Sequence, residues 1–486
     1  MKKIFLIIIL AVTTLAGMSQ NENDALRYSR LSYSGTARFI GLGGAFGALG
    51  ADFSTLSQNP AGIGLYRKSE FSITPQLNTF STDAEIFGQA NTDSKYSFNL
   101  GNAGMVMNLN TGGNRESSFL KFVNLGFGMN RIENFNNRMI LGGFNDQSSL
   151  LTQYMYQANN NGNALSASEL DEYSSLLAYN TDLLVYDSAA NEYWVDAPNG
   201  GIMQKKVSET WGTINEMVLS AGANFGDKLY LGATVGFPYI RYEEDSRLTE
   251  TDSEGNIEYF KTFTKRDHLV TRGSGVNLKL GMIYRPVDFL RLGFAVHTPT
   301  NYNDMTDEWY STITSEFDNG VSYTDESETG RFSYKINTPL KLIGSMAFII
   351  GQSGLISADY EYLDYSTARL RSGSYDFFDE NDIIRTNLAP AHNLRLGAEW
   401  NYQTVSLRGG FGYYGSPYVS GLNTNDGSKK TLSCGIGIHE QGYFVDLAYM
   451  HSWMSDDYYL YDASLVPAAT TTINKNYFSV TLGFRY

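Results

Sequence analysis

The sequence predicts an all-β protein: a transmembrane barrel of about fourteen antiparallel strands with a small N-terminal hatch, or plug, inside its lumen. Three observations predict it. The first is a two-residue alternation that recurs along the chain. In the C-terminal "NYFSVTLGFRY", Phe478, Val480, Leu482, Phe484 and Tyr486 share one face, and Tyr477, Ser479, Thr481, Gly483 and Arg485 share the other. The same pattern sets Leu394, Leu396 and Trp400 against Asn393, Arg395 and Glu399. It also sets Leu278, Leu280 and Met282 against Asn277, Lys279 and Gly281. The second face often carries charge at mid-strand, which suits a lumen or a solvated sheet equally. The second observation separates these. Tight connections at 226–228, 285–288, 351–354, 402–403 and 440–442 alternate with mostly long ones at 132–212, 317–330, 372–390, 417–428 and 457–472. A barrel inserted from one side has short turns on the near side and long loops on the far side, whereas a sandwich has no reason to sort them. The third is composition. The chain has 34 Tyr, 28 Phe and 48 Gly but only 10 Pro, and no apolar run beyond its first segment is long enough for a spanning helix.

Taken in order, residues 1–19 read as a secretory signal peptide. Lys2 and Lys3 form its charged start, Ile4–Val12 its apolar run, and Ala16, Gly17 and Ser19 its small residues. No cysteine lies near the cleavage region, so a lipid anchor is not expected. Removing Lys2 and Lys3 takes the formal charge from −15 to −17, which excludes nucleic acid as a partner. Cys434 is the single cysteine, so there is no disulfide framework and no cysteine-based metal site.

Residues 20–65 are rich in Gly, Ala, Phe and Leu. They are too apolar for a disordered tail and too few for a core of their own. A lumen between the filled eight-stranded and the open sixteen-stranded cases could hold a compact plug, and this segment reads as that plug. Its candidate functional residues are Gly43, Gly44, Phe46 and the Asn59-Pro60-Ala61 turn that releases the chain into the first strand. A dinucleotide loop is excluded. Gly41 and Gly43 fit G-x-G, but Phe46 stands where the third glycine belongs, and no Lys-Ser or Lys-Thr follows for a P-loop.

Residues 66–486 read as the barrel, with strand two over 95–109, strand four over 213–226 and a large extracellular loop over about 132–212. Within that loop Ser166 and Glu169 form a capping box ahead of Leu170, Tyr173, Leu176 and Leu177, which predicts a short helix. In strand two the apolar face flips. Tyr96, Phe98 and Leu100 precede Gly101-Asn102, and Ala103, Met105, Met107 and Leu109 follow it. A one-residue slip turns every later side chain over, so a β-bulge at Gly101-Asn102 is expected, with the capacity to open a gap beside the strand. Catalytic chemistry is not expected. No H-E-x-x-H or G-x-S-x-G occurs, and the five His do not pair at helical spacing, so no cofactor or metal is implied. Glu399 near Arg395 and Arg408 reads as a lumen ion pair.

The hatch residues carry a resemblance. "TARFIGLGGAFGALGADFSTLSQNPAGIGLY" resembles the N-terminal hatch of FadL/TodX-type outer-membrane transporters of fatty acids and aromatic hydrocarbons. It supplies Ala37, Arg38, Gly41, Gly43, Gly44, Ala45 and Phe46, then Asp52, Ser54, Asn59, Pro60, Ala61 and Gly62, with Ile63 in place of the usual Leu. "YRPVDFLRLGFAVHTPT" (Tyr284–Thr300) resembles a mid-barrel turn of the same family. The resemblance implies fourteen strands, a plugged lumen and a wall opening beside a kinked strand. That kink belongs to the family's third strand, whereas here the slip falls in strand two. It further implies a non-enzymatic channel in a Gram-negative-type outer membrane for passive uptake of hydrophobic small molecules, surrounded by outer-membrane lipid and lipopolysaccharide. The terminal Phe484 and Tyr486 resemble the signal read by the barrel assembly machinery. The second functional reading is a structural or accessory barrel of an assembly or secretion complex, with protein partners.

Overall fold

A computed structural model describes residues 22–32, 34–109 and 119–486; the expected signal peptide lies outside the described residues. Fourteen antiparallel strands close into one barrel. They are β1 (Glu70–Ile86), β2 (Gln89–Leu109), β3 (Leu120–Asn134), β4 (Ile202–Phe225), β5 (Leu229–Thr251) and β6 (Phe260–Val287). Next come β7 (Leu290–His297, continued by Asn301–Phe317), β8 (Gly330–Asn337, continued by Lys341–Ile350) and β9 (Gly354–Asp364, continued by Arg369–Arg371). The last are β10 (Pro390–Tyr402), β11 (Val405–Tyr414), β12 (Asp426–His439), β13 (Tyr443–Tyr458) and β14 (Ala469–Arg485). The ring closes where β1 pairs with β14, with Phe71 opposite Phe484 and Leu77 opposite Phe478. Closure leaves no sheet edge among the described residues except along Gln89–Gly101 of β2, and pairing of the ladder groups is what lipid demands of a β-structure.

The alternation sorts as expected. Leu280, Leu396, Leu432 and Phe478 point outward and are exposed, while their neighbours Lys279, Arg395, Thr431 and Ser479 are buried inside. An exposed belt of Leu, Phe, Tyr and Trp around a charged interior is the inverse of a soluble barrel and matches a lipid-facing wall.

The strands run farther than the pattern predicts. β4 begins at Ile202, not 213, and pairs with β5 throughout, with Gln204 opposite Glu250 and Lys206 opposite Leu248. A strand needs only about 9–11 residues to cross the hydrocarbon, and β6 has 28. Beyond the lipid belt the outward row no longer has to be apolar, so the ladder continues after its sequence signature has stopped. The long connection after β3 is therefore 135–201, and it opens with a re-entrant strand, Asn137–Asn145, paired to the upper part of β4.

The wall shifts register in several places, for example between Arg131 and Glu133 of β3 against β4. Two irregularities go beyond a shift. Thr74 pairs with Asn102 and Pro75 with Leu100, so the β1–β2 register passes over Gly101. Beyond that point β2 has no partner in β3, which it meets only over Asn102–Leu109. The re-entrant strand packs there instead. Thr82 donates to Asn137 Oδ1 at 2.8 Å, Arg138 pairs with Asp93 at 3.0 Å, and Lys95 of β2 reaches Glu209 of β4 at 2.8 Å. The second irregularity is a break in both β7 and β8, at Pro299 and Pro339. Proline cannot donate to a ladder. Thr300 and Thr338 bridge the break, through Thr300 N to Thr338 Oγ1 at 2.9 Å and Thr338 N to Thr300 O at 3.1 Å.

The expected helix from Ser166 is shorter than its pattern. The Ser166–Glu169 capping box forms, but only a 3₁₀ turn (Ala167–Glu169) follows, and helix resumes at Ser175–Asn180. A helix over Leu150–Ala158, capped by Ser149, was not legible. Its Leu150, Leu151, Thr152, Tyr154 and Ala158 are buried under the long connections, so it lacks the clean polar stripe that a pattern search needs.

The chain ends on the barrel seam. Tyr486 exchanges backbone hydrogen bonds with Ser69 at 3.1 and 3.2 Å, and its exposed ring stands in the outward row with Phe484. Tyr486→Asp should therefore lower the amount of folded barrel in outer-membrane fractions by several-fold, read as loss of the fast-migrating unheated species on gels. Parental levels would reduce Tyr486 to an ordinary belt residue.

Candidate functional site

The barrel's interior is occupied by residues 22–32 and 34–65. Their four short helical pieces are α1 (Glu22–Ser29), α2 (Ala37–Gly41), α3 (Thr55–Gln58) and a 3₁₀ turn (Pro60–Leu65). None is long enough to be stable alone. What folds the segment locally is a polar clasp. Thr36 Oγ1 accepts from Phe39 N at 3.1 Å, capping α2, and donates to Asp52 at 2.7 Å. Asp52 accepts from Ser54 N at 2.9 Å, and Ser54 Oγ accepts from Thr36 N at 2.8 Å.

The segment is then fastened to the wall through buried charge. Arg38 makes a two-pronged contact with Glu399 of β10, at 2.9 and 3.1 Å. The same carboxylate accepts from Arg408 of β11 at 2.7 Å. Arg408 reaches Asp446 of β13 at 2.5 Å, and His439 lies 3.0 Å from Asp446. Burial alone would push the Arg38 guanidinium down, but Glu399 more than offsets it and holds the group above its ordinary value. Arg395, by contrast, pairs with Glu361 at 3.0 Å and faces Asp359 at 3.7 Å, so it does not join Glu399 as expected. The reason is register: Glu399 stands opposite Arg408 across β10–β11, while Arg395 stands opposite Asp359 across β9–β10. Asp359 in turn accepts the backbone N–H of Phe46 at 2.9 Å and of Gly47 at 2.9 Å. Glu216 of β4 accepts from Ser57 at 2.9 Å and pairs with Lys279 of β6.

The sequence-derived candidate residues fall into three groups in space. Gly43, Gly44 and Phe46 lie against β9–β11. Gly43 has φ +63° and touches Gly410, where a Cβ would sit 2.2 Å from Gly43 N, so both positions require glycine. Phe46 is fully buried, 5.8 Å from the Phe39 ring and beneath Arg38 at 5.3 Å. Asn59, Pro60 and Ala61 lie against β5 and β6. Asn59 is extended (φ −140°, ψ 101°) before Pro60, which opens the 3₁₀ turn. Its side chain accepts from Ala61 N at 3.1 Å and donates to Gly47 O at 2.6 Å and Met282 O at 3.3 Å, tying both halves of the segment to β6. Gly101 and Asn102 form the third group. They sit beside Gln76, which accepts from Ser34 Oγ at 2.8 Å, so the register shift adjoins the segment. Phe484 and Tyr486 stand apart on the outward face. The wall carboxylates Asp359, Glu399 and Glu216 carry the anchoring, and sequence reasoning did not single them out as partners of residues 20–65. Their signal was the mid-strand charge of the inward rows.

Among the cavities, an open one of about 520 Å³ lies at the end of the barrel that bears the long connections, bordered by the Leu150–Ala158 helix, β5, β6, β7 and the turn at 460–462. Five aromatic residues line it, Tyr154, Tyr173, Trp309, Tyr310 and Tyr461, beside polar and charged side chains that include Glu244, Lys265 and Asp267. Deeper in the lumen, beside residues 28–31 and 39–44, the cavities measure about 30 Å³, little more than room for one water.

Because Arg38 and Arg408 share Glu399, Glu399→Gln should strand Arg38 while leaving Arg408 its contact with Asp446. Breaking a buried pair costs about 3–5 kcal/mol. The expected outcome is faster proteolysis within residues 22–65 with a barrel that still resists unheated detergent. Equal proteolysis in variant and parent would show that the ion pair does not hold the segment.

No protein-family model matches the sequence, and no curated protein matches it. Solved structures do match the fold. A Pseudomonas aeruginosa FadL homologue superimposes with a TM-score of 0.57 at 12% identity, covering 93% of this chain and 98% of that one. The P. putida toluene transporter TodX gives 0.53 at 11%, over 93% and 98%. The Ralstonia pickettii toluene transporter TbuX gives 0.51 at 15%, again over 93% and 98%. The chain therefore has the fold of the FadL/TodX-type barrels.

Proposed function

We propose that the chain is a passive, non-enzymatic channel for hydrophobic small molecules, with residues 20–65 as its hatch and the long connections facing outward. The observation that carries this reading is the vertical order of the interior. An open, partly aromatic chamber of about 520 Å³ lies at one end, and a segment held by discrete polar contacts fills the lumen below it. A chamber of that size suits capture of a compact apolar molecule. The hatch beneath it must shift for the molecule to pass, because the deeper cavities are too small for anything but water. The fold likeness to toluene transporters supports the same reading.

The density of the anchoring favours a second reading, an accessory barrel that conducts nothing. Arg38, Phe46, Ser57 and Asn59 each hold a different part of the wall, so moving the segment breaks several contacts at once.

Asn59→Ala and Pro60→Ala separate the two readings. Asn59→Ala removes the tie between Gly47 and Met282, and Pro60→Ala frees the turn. Both variants should assemble at parental surface levels, alter uptake of a long-chain fatty acid or toluene by cells at least threefold, and open more often in single-channel recordings. Parental uptake and conductance in both would make the accessory barrel the better reading.

A further inference from the structure

The outward face of the barrel turns basic just above its apolar belt, and on one side only. On β8 the exposed Leu340, Met346, Phe348 and Ile350 give way to the exposed Lys335 and Arg331. On β6 Val276, Leu278 and Leu280 give way to Arg272, and on β5 Phe237 and Tyr239 give way to Arg241. The exposed Arg371 stands beside them on β9. Two pairs of these cations meet directly across the ladder: Arg241 stands opposite Arg272, and Lys335 opposite Arg371. Like charges so placed destabilise a sheet. On the other side of the barrel the belt ends at Leu77, Phe478 and Tyr449. It gives way there to Thr79, Asn476 and His451, with Lys430 of β12 as the cation.

The protein's own carboxylates do not settle this charge. Arg241 pairs with Glu243, and Glu308 serves both Arg272 at 3.1 Å and Arg331 at 3.8 Å. Lys335 and Arg371 make no ion pair among the described residues. Asp304 lies in the β7 bulge against β8, and Asp376 borders an open hollow of about 560 Å³ beside Arg371, yet neither comes within ion-pair distance of these two cations. Arg369, Ser372 and Ser374 border the same hollow. Arg369 donates to the carbonyls of Ser366 and Ala368 at 2.7 and 2.6 Å. In a chain with 51 acidic residues against 36 basic ones, such an excess of exposed cations inverts the overall balance.

We propose that this rim binds the diphosphorylated sugar head group of an outer-leaflet lipid, with Arg272 on one phosphate and Lys335 and Arg371 on the other. Cations immediately above the hydrocarbon lie at the depth of lipid head groups and attract anionic ones. A guanidinium fork matches phosphate oxygens two at a time. Neighbouring strands are about 4.8 Å apart, so Arg272 on β6 and the Lys335–Arg371 pair on β8 and β9 are separated by roughly 10–14 Å. That spread suits two phosphates on one rigid head group better than a single phosphate. The lipid's acyl chains continue down the exposed Leu340–Ile350 and Val276–Leu280 rows, which a free phosphate has no use for. The inference goes beyond the uptake reading. It rests on the long connections facing outward and not on transport.

The test titrates the full chain, purified in a neutral maltoside detergent, and counts bound lipid by native mass spectrometry. The probes are diphosphoryl lipid A, the same lipid with both phosphates removed, and inorganic phosphate as competitor. The diphosphoryl lipid should bind at least tenfold more tightly than the phosphate-free one, and added salt should weaken it. The combined variant Arg272→Gln, Lys335→Gln and Arg371→Gln should lose that tenfold preference, while Lys430→Gln on the other side should keep it. These side chains are exposed, and the unheated gel shift establishes that each variant remains a folded barrel. Equal binding of the two lipids, or an equal loss on Lys430→Gln, overturns the proposal. Displacement of the lipid by millimolar inorganic phosphate at constant ionic strength makes the rim a site for free phosphate and overturns the lipid. None of these outcomes touches the uptake reading, which stands or falls on the Asn59 and Pro60 variants.

Discussion

The interior of this barrel depends on charge that neither of its parts can settle alone. β10 brings Glu399 into the lumen and β9 brings Asp359, and the N-terminal segment brings Arg38 and the free backbone N–H groups of Phe46 and Gly47. Without the segment, Glu399 would keep one arginine of two, and Asp359 would face Arg395 only at 3.7 Å. Without the wall, the segment would be four helical pieces, each too short to persist. Buried ion pairs are weak evidence of stability but strong evidence of arrangement, because a stranded partner is so costly. Here they fix where the segment lies rather than adding to how firmly the barrel holds.

The lipid imposes the complementary constraint from outside. It leaves the outward row nothing but apolar choices and frees the inward row for charge, and the two rows together made the barrel legible from alternation. The same logic explains where the reading stopped. Above the belt the outward row is released from lipid, so the upper part of β4 carries Lys205 and Glu209 and no longer looks like a membrane strand, yet it still pairs with β5 residue by residue. The buried helix at Leu150–Ala158 escaped for the opposite reason, being apolar on too many sides.

The candidate site was legible in outline and not in its partners. Glycines, Phe46 and the Asn-Pro turn marked the segment as something to be packed closely, because such residues serve where backbone must approach backbone. Which wall residues would meet it depends on register across several strands. Nothing local distinguishes Arg395, which turns to Glu361, from Arg408, which turns to Glu399 and Asp446. Spacing along one strand gives a face; only pairing gives a neighbour.

The connectivity of these anchors has a kinetic side. Arg38 meets its carboxylate 361 residues later in the chain, and Ala37 N reaches Thr481 Oγ1 across 444 residues. Residues made first thus find their partners among those made last. Contacts of such sequence separation contribute nothing until the intervening loop has been closed, and they form late in any folding route. A segment with this address must wait beside a nearly finished cylinder and enter it at the end. Its apolar glycine-rich character is then a hazard as well as a fit: for most of the barrel's assembly it is a sticky strand without a home, in need of a chaperone's grip or a fast closing step to keep it from other chains.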